Sequence, residues 1–246
     1  MKIFIVNLKK HTQRKEKMQN QANKLGLHIE FIEAVYGPEI NDEKLEKIAY
    51  DYPNCKLTKG EIGCSLSHLK IYKKIIDDNI EYALILEDDA VLSENITECI
   101  KNIKNSDNTR KPNVYLLSEV ISYIKNYNLH SNIYKIYHAC GAHGYIINKK
   151  AAKKLLSKLQ PIKYEADMWW IFRFRNYIHV YCVIPHLIDT NDSDKKDSIL
   201  EEERAKTIEE REKYRIALNK KEPFYHFYRI KELFRKKYLF EIEKIK

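Results

Sequence analysis

The chain predicts an α/β fold built around a largely parallel sheet, and three observations carry that prediction. Short β-branched and aromatic runs alternate with longer amphipathic ones. The apolar run over residues 82–86 leads straight into Glu87-Asp88-Asp89, and ligands of open α/β sheets bind at the carboxyl ends of strands. With 246 residues, 44% hydrophobic and 32% charged, the chain can bury one large core.

Taken in order, residues 3–6 form the first strand, 11–25 a polar helix and 29–35 a second strand, closed by the Gly37-Pro38 turn. Thr58-Lys59-Gly60-Glu61 fits a capping box, in which the threonine accepts from the backbone of Glu61 and the glutamate reaches back. It opens a helix over 60–78, whose Ile62, Leu66, Leu69 and Ile76 share one face. Strands follow at 82–86, 114–117, 133–137, 145–147 and 180–184, with a helix over 149–159 stopped by Pro161. Residues 191–212 read as a polar loop or linker, Asn191-Asp192-Ser193-Asp194 being its turn-rich start. Residues 213–246 read as a basic amphipathic helical tail. Phe227, Ile230, Phe234 and Tyr238 lie on one side of it, and Arg229, Lys231, Arg235, Lys236 and Lys237 on the other.

Charge is unevenly spread. Residues 211–246 hold 12 Lys and Arg against 5 Asp and Glu, so that +7 of the formal +9 belongs to the tail. The pI of 9.1 and 18 tyrosines make a nucleic-acid-binding protein the alternative of a different class, but a binding groove would concentrate cations along the body, which is nearly neutral, so no nucleic acid is expected as a partner. Attachment of the tail to an anionic surface is the alternative. The five cysteines are odd in number, lack CxxC spacing and mostly sit in apolar stretches, which favours reduced thiols and a cytoplasmic setting. The apolar run at residues 3–6 is too short for a signal peptide or membrane span. The first strand is not followed by GxGxxG, which disfavours a dinucleotide oxidoreductase.

Three consecutive acids at the end of a buried strand repel one another, and a divalent cation of the Mg²⁺ or Mn²⁺ kind would offset them. In extended backbone Glu87 and Asp89 share a side, so one could hold the metal while the other meets a ribose or a water. A merely solvated acidic turn has the same sequence. Asn7, ending the first strand, could meet a nucleotide base, and Arg14 a diphosphate, although an arginine on a polar helix is often only solvated. Glu61, Ser67 and His68 belong to the capped helix. There Gly60 and Gly63 could let an anion approach the backbone, and capping alone accounts for Thr58 and Glu61. Glu165-Ala166-Asp167 precedes Trp169-Trp170, a pairing of acids and rings that suits a sugar, with Asp167 a candidate general base. Core tryptophans behind a helix-capping aspartate would look alike.

Four segments together resemble glycosyltransferase family 25, the bacterial lipooligosaccharide galactosyltransferases and their collagen-modifying relatives. They are Ile3-Phe4-Ile5-Val6-Asn7-Leu8 with Arg14; residues 57–68 around Gly60-Glu61-Ile62-Gly63-Cys64; Ala83-Leu84-Ile85-Leu86-Glu87-Asp88-Asp89-Ala90; and Gly141-Ala142-His143-Gly144-Tyr145. The resemblance implies a glycosyltransferase A-type fold, Rossmann-like with a mixed sheet flanked by helices, and a catalytic domain over residues 1–190. It implies inverting, Mn²⁺-dependent transfer from a UDP-sugar, UDP-galactose first, to a saccharide acceptor in lipooligosaccharide or lipopolysaccharide biosynthesis. UDP-glucose or a UDP-N-acetylhexosamine are the alternative donors, and an inactive sugar-binding scaffold of the same fold is the alternative function. It makes Glu87, Asp88 and Asp89 the acidic motif, with Asp89 the direct metal ligand, Glu87 beside it, and Asp88 on the donor. Asp167 is then the base. The sequence departs from the family in carrying Lys163 where many members place an acid after the proline, which makes Glu165 the substitute. A lipid-linked acceptor would put the protein peripherally on the inner face of the inner membrane, with the tail on the anionic surface; packing of the tail's apolar side on the catalytic domain or a second subunit is the alternative. A homo-oligomer is compatible with the sequence.

Overall fold

A computed structural model describes residues 1–107, 110–130, 132–190 and 199–245, the side chains of 199–206 excepted. The polar turn at 191–194 lies outside the described residues.

The first half alternates as its periodicity requires. Strand β1 (Lys2–Asn7) feeds helix α1 (Thr12–Lys24), which returns to β2 (Ile29–Glu33) in parallel beside β1. Helix α2 (Asp42–Ile48) is capped by the Asn41 side chain, which accepts from the backbone of Lys44. Helix α3 (Lys59–Asp77) begins at the capping box its sequence predicts: Thr58 Oγ1 accepts from Glu61 N at 3.1 Å, and Glu61 accepts from Thr58 N at 2.9 Å. The chain then enters β3 (Tyr82–Glu87), parallel to β1 on its other side, and turns through β4 (Ala90–Leu92) into α4 (Ile96–Ser106).

The second half departs from parallel order. Strands β5 (Asn113–Leu116), β6 (Ser122–His130), β7 (Ile133–His138) and β8 (Gly144–Asn148) lead to α5 (Lys149–Lys158) and α6 (Trp169–Phe174). Strands β9 (His179–Val183) and β10 (Ile188–Thr190), helices α7 (Ile199–Lys221) and α8 (Tyr225–Tyr238), and β11 (Ile242–Lys244) follow. The large sheet runs β11-β6-β7-β9-β5-β8-β3-β1-β2. Only β1 with β2, β1 with β3, and β5 with β9 pair in parallel; the other neighbours are antiparallel. The fold is thus a mixed sheet flanked by helices, parallel where the sequence pattern was strongest.

Alternation along the strands divides the core. Phe4, Ile85 and Ile147 point to the side covered by α3, α5 and α6, while Ile3, Ile5, Leu84 and Leu86 point to the side covered by α1 and α4. Helix α3 lies unusually close to the β2 end: a Cβ on Gly63 would stand 2.6 Å from Val35 O and 2.7 Å from Gly37 N. Glycine is what allows that approach.

The stretch read as a polar linker needs correction. It is helical from Ile199, and α7 runs across residue 212 without a break. Its inner side buries Arg211, Leu218 and Asn219, with Tyr214 packed on the core. Helical spacing was present, but the inward residues are mostly polar and meet polar partners, so the apolar signal was missing. The tail, read as a separate helix, closes with β11, which pairs with β6 at Ile242 opposite Ile124. Among the described residues no helix is long and apolar enough to cross a membrane.

Candidate active site

Strands β1 and β3 run side by side, Val6 opposite Glu87, so their carboxyl ends open on the same edge. A cleft of about 230 Å³ lies there, between residues 34–38 after β2, Gly60 and Cys64 of α3, and Glu87, Asp88 and Asp89. Val6, Leu8 and Val35 make part of its wall apolar, and the three acids line another part of it.

The acids divide their work. Asp88 Oδ2 accepts from Asn7 Nδ2 at 2.8 Å, Asp88 Oδ1 accepts from Arg14 Nη1 at 3.1 Å, and His11 Nδ1 stands 3.5 Å away. Asn7 also donates to His11 O at 3.2 Å. Asp88 therefore ties the end of β1 to the first turns of α1. Asn7 and Arg14, read from sequence as base and diphosphate contacts, spend these bonds on Asp88.

Glu87 and Asp89 turn instead toward His143. Because β8 runs antiparallel to β3, it begins where β3 ends, with Gly144 opposite Leu86. The residue before it is thereby delivered to the acids, and Glu87 N donates to His143 O at 3.1 Å. His143 Nδ1 lies 3.1 Å from Glu87 Oε2 and 3.7 Å from Asp89 Oδ1. A Cβ on Gly144 would meet Ile188 Cδ1 at 2.2 Å and Leu86 Cδ2 at 3.1 Å, so glycine keeps this approach open. The adjoining Asp89 and Glu87 carboxylates raise the His143 imidazole to about 10. Burial pushes Glu87 up, but His143 and His68 outweigh it and hold the carboxyl below its ordinary range.

His68 closes the floor. Its Nδ1 is 2.7 Å from Tyr145 Oη, which in turn lies 2.8 Å from Tyr72 Oη, and its Nε2 stands 3.7 Å from Glu87 Oε1. Ser67 is structural in its contacts: Oγ donates to Gly63 O and accepts from Val35 N, each at 2.8 Å, clasping α3 to the end of β2. Glu61 lies buried at the α3 cap, where Arg211 Nη1 reaches its Oε1 at 2.6 Å.

These residues fit a divalent ion. Glu87, Asp89 and His143 each present one ligand atom, all within 4.8 Å of one another. Among the described residues, Asp89 Oδ1, His143 Nδ1 and His68 Nε2 are buried and make no hydrogen bond. Polar atoms buried without a hydrogen bond are costly, and a cation shared by Glu87, Asp89 and His143 would satisfy Asp89 Oδ1 and His143 Nδ1. Carboxylates suit Mg²⁺ or Mn²⁺, and an imidazole among them favours the softer Mn²⁺. Cys64, His68 and Glu87 form a second group of ligand spacing that shares Glu87.

The segment before α6 reaches the same loop. Asp167 Oδ2 accepts from Gly141 N at 2.8 Å and Trp169 Nε1 donates to Gly141 O at 2.7 Å, clamping both sides of a glycine at φ +93°. Trp169 is fully buried, edge-on to Tyr145 at 4.8 Å, whereas Trp170 is half-buried and stacks on His138. Glu165 is buried, its Oε1 between Arg211 Nε at 3.2 Å and Arg215 Nη1 at 3.1 Å. Burial, ahead of the two arginines, raises its carboxyl. Lys163, which stands where the resemblance places an acid, pairs with Glu222 at 2.7 Å.

Sequence reasoning did not single out His143, His11, Arg211 or Arg215 as site or framework residues. His143 lies 56 positions beyond Glu87, and only the antiparallel return of β8 brings the two together. Its place in the Gly141-Ala142-His143-Gly144 segment, between two glycines that permit close approach, was the available signal.

An acid-ended parallel strand beside a cleft, met by a histidine that the start of an antiparallel neighbour delivers, defines an α/β protein of mixed sheet with a candidate cation-binding edge. Within that class, the model of glycosyltransferase family 25 (LPS biosynthesis protein) matches residues 1–170, and the chain belongs to that family. It is 41% identical over 95 residues to a glycosyltransferase 25 family member of Aedes aegypti, covering 35% of this chain and 16% of that one. Against procollagen galactosyltransferase 2 of Homo sapiens the identity is 34% over 95 residues, covering 35% of this chain and 15% of that one. The chain thus spans about a sixth of the length of these relatives. The lipooligosaccharide biosynthesis protein lic2B of Haemophilus influenzae is 25% identical over 162 residues, covering 62% of this chain and 61% of its own.

Proposed function

We propose that the chain transfers a hexose, galactose in the first instance, from a UDP-sugar to a saccharide hydroxyl during lipooligosaccharide or lipopolysaccharide assembly, with inversion at the anomeric carbon. The single observation behind this is the convergence of Glu87, Asp89 and His143, with Asp89 Oδ1 and His143 Nδ1 buried and making no hydrogen bond among the described residues, at the rim of the cleft. A galactosyl donor is suggested by the name of the human relative, and the acceptor class by that of the Haemophilus protein.

Glu87, Asp89 and His143 would hold Mn²⁺ or Mg²⁺, which supplies positive charge against a diphosphate leaving group. Asp88 keeps the β1 end and α1 in place through Asn7 and Arg14, so the cleft is preorganised. The base lies against Val35 and Tyr36, whose ring already carries Lys10 Nζ at 4.0 Å. On the acceptor side, Asp167 takes the proton of the attacking hydroxyl while its oxygen bonds to the anomeric carbon. The bond from that carbon to the β-phosphate oxygen breaks, and UDP departs with the electron pair. Glu165 is the weaker candidate, because two arginines would have to release it. A lipid-linked acceptor would place the reaction at the cytoplasmic face of the inner membrane.

The test is turnover of UDP-galactose with lactosyl and N-acetylglucosaminyl acceptors, with Mn²⁺ present or chelated, and the anomeric configuration read by NMR. Metal-dependent transfer with inversion is expected. Transfer that survives both chelation and Asp89→Asn at the wild-type rate overturns the proposal.

A further inference from the structure

Helix α8 touches the body along one side. Tyr225, Tyr228, Glu232 and Arg235 recur at helical spacing and are half-buried. The Tyr225 and Tyr228 rings lie 6.1 Å from that of Phe174, and Glu232 receives Arg173 Nη2 at 2.6 Å. On the other side Phe227, Ile230, Phe234 and Tyr238 are 59%, 68%, 56% and 62% exposed. The body therefore does not cover the apolar row.

Between α8 and strands β7 and β9 runs a narrow cleft lined by Lys135, Arg173, His179, Lys231 and Arg235. Among the described residues Glu232 is the one carboxylate in its lining, and Arg173 engages it through two nitrogens. Lys135, Lys231 and Arg235 are left close enough to act on one another. Burial, with Arg235 and Arg173 adding to it, pushes Lys135 down to about 8, and burial and Lys135 push His179 down. Cations crowded in this way are relieved by an anion, and guanidinium groups beside an ammonium match the oxygens of a phosphate.

We propose that this cleft takes the phosphate of an anionic phospholipid while Phe227, Ile230 and Phe234 enter the bilayer beside it, so that α8 docks the protein on an anionic membrane surface. Charge complementarity favours lipid over a protein partner: Glu232 is the only acid within α8, whereas the exposed Arg229, Lys231, Lys236 and Lys237 flank the apolar row. The proposal stands on surfaces away from Glu87 and Asp89 and does not depend on the reaction assigned to them.

The test uses the full chain with vesicles of phosphatidylcholine alone or mixed with phosphatidylglycerol. Binding is expected only with phosphatidylglycerol. Lys135→Gln with Lys231→Gln should weaken it by about fivefold for each charge removed, and Phe227→Ser with Phe234→Ser should weaken it as well. Lys153→Gln with Lys154→Gln, exposed on α5, removes the same charge elsewhere and should change it less than twofold. The cleft variant sheds repulsion and should melt no lower than wild type; if it fails to fold, Lys231→Gln alone, on the exposed rim, carries the test. Equal losses from the α5 and cleft variants, or unchanged binding in the cleft variant, overturn the proposal. So does a cleft that raises the melting temperature with inorganic phosphate alone while vesicle binding ignores the cleft substitutions, since its ligand is then a soluble phosphate.

Discussion

Arg211→Met is the most informative single perturbation of the framework around the cleft. Arg211 Nη1 lies 2.6 Å from Glu61 Oε1 and its Nε 3.2 Å from Glu165 Oε1, with the three side chains 8%, 1% and 5% exposed. At an effective dielectric of about 20, unit charges at the shorter distance attract by roughly 6 kcal/mol. Desolvation takes back part of that, and removing one member of a buried pair strands the other charge, for a net cost of about 3–5 kcal/mol. Glu165 keeps Arg215 at 3.1 Å, so the cost falls chiefly on Glu61, which loses its 2.6 Å ion pair with Arg211. Chemical denaturation should show a loss of about 3 kcal/mol or more, a large share of the roughly 5–15 kcal/mol of a typical domain. Adding Glu61→Gln should restore most of it, because the amide no longer needs a cation and can still serve the α3 cap. A loss below about 1 kcal/mol, the scale of an exposed pair, or a double variant no better than the single one, would refute the claim that α7 is joined to α3 by a buried charge network.

Asp89→Asn should lower Mn²⁺ affinity and sugar transfer together, read by calorimetry and by turnover. His143→Ala should weaken the ion by at least the roughly 10–100-fold expected of an outer-shell partner, without unfolding the chain, as circular dichroism would report. Gly63→Ala drives a methyl group into Val35 O and Gly37 N and should cost about 1–3 kcal/mol in a denaturant titration, with a raised KM for the donor. Lys135 sits at about 8 when folded against 10.5 for an ordinary lysine, so the unfolded chain binds the extra proton between those values and stability should climb with pH there. Lys135→Gln should flatten that part of the profile, measured as urea midpoints against wild type.

What the sequence made legible was local. The capping box at Thr58 and Glu61, the strand ending in Glu87, and the alternation around β1, β2 and β3 each rest on neighbours within a few residues. Partnerships across the chain were hidden. Arg14 meets Asp88 across 74 positions and Arg211 meets Glu61 across 150, and nothing in the local pattern of any of these residues specifies its partner. The basic residues of α7 looked like a solvated linker because their inward neighbours are carboxylates rather than apolar groups. Strand β6 escaped notice for a related reason: beyond Ile124 its side chains are exposed, so no burial signal accompanies its outer two thirds.

The pairing of Ile242, Glu243 and Lys244 with β6 also bears on how the protein can be handled. That short strand covers the outer margin of the sheet at residues 122–124, and Glu241 O accepts from Lys125 N at 2.7 Å just beyond it. A version cut back to the Lys221 end of α7 would bare the amides and carbonyls of residues 122–125, a template onto which a second molecule can add. Aggregation of such a shortened chain would then reflect an unsealed sheet margin rather than a damaged catalytic centre.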